Sequence, residues 1–171
     1  LLNILQPTSN FWWFKLMKKI LALLFSILIS FNSLPVYAGT YQIDGEFNGC
    51  DYNKYYPIYG YNALLKCEEY NYFYEYMPEV ITDGREVITI GDERVEATLV
   101  DGQVTRTNVS DEFEGCDWDK RYNLDNGLIF VCSTYSYSYS YRPEVLIVSP
   151  SGGNPIVYID GEEYDGTLYR W

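Results

Sequence analysis

The chain has 171 residues, a formal net charge of −12 and no histidine. That acidity excludes the basic face a nucleic-acid binder needs, and the missing histidine removes the commonest general base near neutral pH. Nineteen tyrosines and four cysteines are the compositional features to be placed.

Residues 1–16 precede what reads as a complete export signal, and they are expected to be upstream sequence, with the product starting at Met17. Met17-Lys18-Lys19 is a basic start, residues 20–29 form an apolar run, and Val36-Tyr37-Ala38 puts small residues before Gly39. About ten apolar residues are too few to span a bilayer, so residues 17–38 are predicted to be a cleaved secretory signal peptide. No cysteine lies at the cleavage point, so no lipid anchor and no stable membrane anchor is expected, and the location is periplasmic or secreted. Without Lys15, Lys18 and Lys19, the 24 acidic residues would face nine basic ones, a charge of −15.

The remainder reads as one unit written twice, over residues 39–100 and 101–171. Glu46-Phe47-Asn48-Gly49-Cys50-Asp51 matches Glu112-Phe113-Glu114-Gly115-Cys116-Asp117, and Leu64-Leu65-Lys66-Cys67 matches Ile129-Phe130-Val131-Cys132. After each second cysteine, four tyrosines alternate with other residues before a Pro-Glu-Val. They are Tyr70, Tyr72, Tyr74 and Tyr76 in the first copy and Tyr135, Tyr137, Tyr139 and Tyr141 in the second.

In chain order, opening strands are predicted over residues 41–47 and 104–113. A strand over 121–124 leads into an Asp125-Asn126-Gly127 hairpin turn, since Asn-Gly tolerates positive φ. A long tyrosine strand follows over 128–141, ended or bent by Pro143. Another strand covers 145–148, and a hairpin about Asp160-Gly161 joins 156–159 to 163–169. No helical period is present. Fourteen residues of straight strand would span about 46 Å, too long for a unit of this size, so the tyrosine strand must bend. The fold class expected is all-β: a tandem duplication of a small SH3-like barrel, with an open sandwich or OB-like barrel as the alternative.

Such small units usually need a staple. In an exported chain four cysteines imply disulfides. If each unit folds alone, Cys50 pairs with Cys67 and Cys116 with Cys132. Each loop of about 16 residues would contribute roughly 3 kcal/mol. No CxxC and no histidine points to zinc. The Asp51/Asn53 and Asp117/Asp119 pairs lack the rest of a calcium loop and read as turns. Neither a metal nor any other cofactor is expected.

Period-two alternation puts the four rings of each copy on one face. They can be core, or they can be an aromatic platform with large area and few rotors. Ser136, Ser138 and Ser140 suggest a solvated opposite face, which would turn the second set of tyrosines inward and leave only the ends exposed. Trp118 is a further candidate contact residue. With no histidine and the cysteines oxidised, no catalytic set is evident and no enzyme activity is expected.

The motif F-x-G-C-[DE] followed by C-x-x-Y-x-Y-x-Y-x-Y-x-P-E-V is carried by Phe47 to Asp51 with Cys67 to Val80, and by Phe113 to Asp117 with Cys132 to Val145. It resembles a group of small exported bacterial proteins, across nearly all of residues 39–171. The resemblance implies an envelope or secreted address and carries no activity. The expectation is therefore a non-enzymatic binding module using acidic and tyrosine-rich surfaces on a protein partner. A cell-wall glycan is the second partner class, and an inhibitor or immunity protein against a cationic enzyme, or a structural envelope component, are the remaining alternatives.

Overall fold

Alternating residues such as Glu79-Val80-Ile81-Thr82-Asp83, which bury Val80 and Thr82 and turn the others outward, make strands and little else. The computed structural model describes residues 39–170 and is all β, with no helix among them. The export-signal and upstream expectations, and Trp171, lie outside the described residues.

The first half contains β1 (Gly39–Gln42), β2 (Glu46–Phe47), β3 (Tyr55–Pro57), β4 (Ala63–Cys67), β5 (Glu75–Tyr76), β6 (Glu79–Asp83) and β7 (Glu86–Ile90). A twelve-residue strand, β8 (Ala97–Asn108), leads into β9 (Glu112–Phe113), β10 (Arg121–Asn123), β11 (Leu128–Cys132) and β12 (Ser140–Tyr141). The chain ends with β13 (Glu144–Pro150), β14 (Ile156–Ile159), β15 (Glu162–Tyr164) and β16 (Gly166–Arg170). The largest sheet runs β1-β6-β7-β8-β13-β14-β15, with β4 also on β8 and β3 on β4. β10-β11-β16 form a second sheet, and β2–β5 and β9–β12 are two-stranded.

β8 serves both halves. Ala97 to Asp101 pair with β4, and Gly102 to Asn108 pair with β13. The boundary expected between Val100 and Asp101 therefore falls inside a continuous strand. Gly102 stands at the handover because a side chain there would run into Leu64 Cγ at 2.9 Å and the Ser149 carbonyl at 3.0 Å. Leu64 packs with Val148 and Tyr158 in a small cluster at this junction.

The expectation of closed SH3-like barrels is corrected: the sheets do not close. β8 pairs with β4 and β7 over its first residues and with β13 over the rest, so it continues one sheet into the next half. β1 pairs only with β6, and β15 only with β14, among the described residues. Nor is the tyrosine stretch one strand. Pairing lapses after Cys132, touches once at the Cys116–Ser136 bridge and resumes at β12, and the first half does the same through Cys50–Asn71. The opening strands likewise divide, into β1 with β2 and β8 with β9, and the last hairpin continues as β15 and β16. The β14–β15 turn is as expected, with φ of 51° at Asp160 and 80° at Gly161, the pattern of a tight hairpin turn.

The disulfides Cys50–Cys67 and Cys116–Cys132 are both formed. Around the second lie Val109, Phe113, Tyr122, Leu124, Phe130 and Val145, all buried. Ile43, Phe47, Tyr56, Ile58, Leu65 and Val80 are buried in the first half. Phe47 meets Tyr56 at 4.8 Å and Phe113 meets Tyr122 at 4.7 Å between ring centroids. Burying one such phenylalanine contributes roughly 2–3 kcal/mol.

Candidate functional site

The tyrosine rows are positioned from below by a glycine and a cystine. Gly49 has φ of 92°, and a Cβ on it would meet the Asn71 carbonyl oxygen at 2.7 Å. The bare backbone lets Cys50 N–H donate to Asn71 O at 2.7 Å and Asn71 N–H donate to Cys50 O at 3.0 Å. Gly115 does the same in the second half, where a Cβ would collide with the Ser136 carbonyl and come within 2.7 Å of Ser138 N. Ser136 N–H donates to Cys116 O at 2.9 Å. The Tyr56 hydroxyl donates to Gly49 O, and the Tyr122 hydroxyl to Gly115 O, fixing each glycine loop on its core.

The tyrosines of both stretches turn outward. The expectation that the second set lies inward is corrected: Tyr135, Tyr137, Tyr139 and Tyr141 are 64–88% exposed, while Ser136, Ser138 and Ser140 are half-buried. Tyr70, Tyr72, Tyr74 and Tyr76 are 62–78% exposed. Below the first row Phe73 packs on Phe47 at 4.7 Å. Below the second, Ser138 leaves that space and Tyr164 meets Phe113 edge-on at 5.0 Å.

Trp118 is also exposed, at the tip of a turn in which Asp117 Oδ1 accepts Trp118 N–H at 2.8 Å and Asp119 takes φ of 61°. Tyr52 stands at the matching tip, with Asp51 and Asn53 in the same roles. These aspartates act as turn formers. No group of three or more His, Cys, Asp or Glu able to hold a metal ion occurs among the described residues.

Carboxylates stand beside both rows. At Tyr74, desolvation and then hydrogen-bonded Glu46 push the phenol's pKa up. At Tyr139 Glu112 is the main cause, followed by desolvation and by Glu114 and Asp111. The surface thus combines ring faces with negative charge.

A cleft of about 670 Å³, drawn from both halves, has no local signature in the sequence. Arg106 of β8 crosses it, donating to Glu144 Oε1 at 2.9 Å and to Asp44 Oδ2 at 3.1 Å. Tyr55 N–H donates to the Tyr158 hydroxyl at 3.2 Å, which ties first-half backbone to a second-half side chain. Burial pushes the Tyr56 and Tyr158 phenols well above their ordinary range. Burial also pushes Lys54 down, against Glu162, Asp51 and Glu163. Tyr76, at the end of the first row, reaches the cleft rim.

Comparisons with protein-family models, with curated proteins and with solved structures return no match.

Proposed function

We propose that the protein is an exported, non-enzymatic binding module, built by tandem duplication of an open disulfide-stapled β unit, that holds a basic protein partner on its two tyrosine rows. The observation that carries this reading is the outward placement of eight tyrosine rings in two matching rows with carboxylates alongside. Exposed tyrosine offers large contact area at small entropic cost, and ring faces beside carboxylates attract ammonium and guanidinium groups. Duplication is supported by the matched hydroxyl-to-glycine bonds, matched cystines and matched bridges. Export is supported by the two disulfides, which persist in oxidising compartments. No helix among the described residues is long and apolar enough to cross a membrane.

The test is a pull-down with the oxidised protein from an envelope extract and from cell-wall polysaccharide, at low and high salt. A stoichiometric protein band that fades at high salt is expected, because screening weakens exposed charge pairs. Salt-tolerant retention on polysaccharide alone, lost on Tyr→Ala changes in the rows, would replace the protein partner with a glycan.

A further inference from the structure

We infer that the cleft between the two halves is an anchor site for a single lysine or arginine side chain of the partner, an inference that rests on the binding reading above. The walls are aromatic: Tyr55, Tyr56, Tyr76 and Tyr158 all line the cleft. Ring faces attract organic cations within about 6 Å, and this site already shows the contact, with Lys54 Nζ 5.2 Å from the Tyr56 ring centroid.

The charges lining the cleft are unequal. Asp44, Glu46, Glu144 and Asp160 face two cations, Lys54 and Arg106. Both cations are already engaged. Arg106 bridges Asp44 and Glu144, and Lys54 Nζ donates to Asn48 Oδ1 at 2.7 Å. Arg106 is thus held by two carboxylates, and the lining as a whole carries two more negative charges than positive ones. The volume exceeds one side chain, so a guanidinium or ammonium can enter with part of its stem. Access comes from the first row, since Tyr76 belongs to the row and to the rim. A basic segment lying along Tyr70 to Tyr76 would end at the opening.

The experiment is an NMR titration of the ¹⁵N-labelled oxidised protein with an acetylated, amidated tetra-arginine peptide, with tetra-glutamate as control. Saturable shifts are expected at the amides of Gly45 and Gly161, which line the cleft. Leu146→Arg puts a cation into the wall and should weaken binding about tenfold or more. Asp160→Asn keeps a residue that tolerates positive φ and should weaken binding about threefold. Asn154→Ala, in an exposed loop outside both rows and the cleft lining, should change it by less than about twofold. Should Leu146→Arg lose the native amide spectrum, Asp160→Asn and the shift map decide alone. Shifts confined to the rows would overturn the cleft site and leave the basic-partner reading standing. Absence of saturation, or equal shifts with tetra-glutamate, would overturn the site outright. Saturation at Gly45 and Gly161 with no salt-sensitive band in the pull-down would leave the cation site and remove the protein-partner reading.

Discussion

Tyr122 donates its hydroxyl hydrogen to the carbonyl of Gly115, the residue whose missing side chain lets Ser136 lie against it. That pair sets the height of the loop under the second tyrosine row. Gly115→Ala must accommodate φ of 75° and a collision with backbone, and should cost about 2–4 kcal/mol. Tyr122→Phe leaves a buried carbonyl unpaired and should cost about 1–3 kcal/mol. Urea unfolding of the oxidised protein measures both, and wild-type stability for Gly115→Ala would show that the close approach is not needed.

The exposed rings should behave oppositely. Tyr72→Ser and Tyr137→Ser remove side chains that face solvent and should change unfolding free energy by no more than about 0.5 kcal/mol. Partner capture in the pull-down should fall sharply. A large loss of stability would return the rows to a structural role.

Replacing Cys116 and Cys132 together by serine reopens a loop closed over a sequence separation of 16. The expected cost is about 3 kcal/mol in the chain-entropy model. Thermal unfolding under non-reducing conditions should show it, and the matching change at Cys50 and Cys67 should give a similar loss.

Glu163 supplies a pH dependence. Desolvation first, and Asp165 next, push its carboxyl up from the ordinary value, with the Tyr158 hydrogen bond and Lys54 opposing. A raised carboxyl pKa means the folded state holds its proton more tightly than the unfolded chain. Stability from this group is then present at low pH and lost as pH rises through the ordinary glutamate range to the folded pKa. Glu163→Gln should therefore gain on wild type as pH rises above the ordinary glutamate value of about 4.3 and match it below. Paired urea titrations across that window check the sign.

The alternation of the tyrosines, the cystine pairing and the hairpin at Asp160-Gly161 could all be read from residues. Which face of the alternation is wet could not. A period of two admits two solutions, and serine on the opposite face pointed to the wrong one. The close approach of Gly115 to the Ser136 backbone, between segments about 20 residues apart, likewise has no periodic trace. Phe73 beneath the first row was the nearer clue, since a phenylalanine between tyrosines has less reason to face water than they do. The cleft was not legible, because Asp44, Arg106 and Glu144 are ordinary surface residues until β8 brings them together. Barrel closure failed as an expectation because short alternating strands do not say whether the last one returns to the first.

The continuity of β8 has a consequence for how such a chain can be shortened or lengthened. Scission between Val100 and Asp101 would leave each fragment with half a strand and bare hydrogen-bonding edges, the usual start of aggregation. Two fragments made there should stay insoluble apart and recover on mixing. An insertion inside β8 would likewise disturb both halves at once, because the strand pairs with β4 before Gly102 and with β13 from Gly102 on.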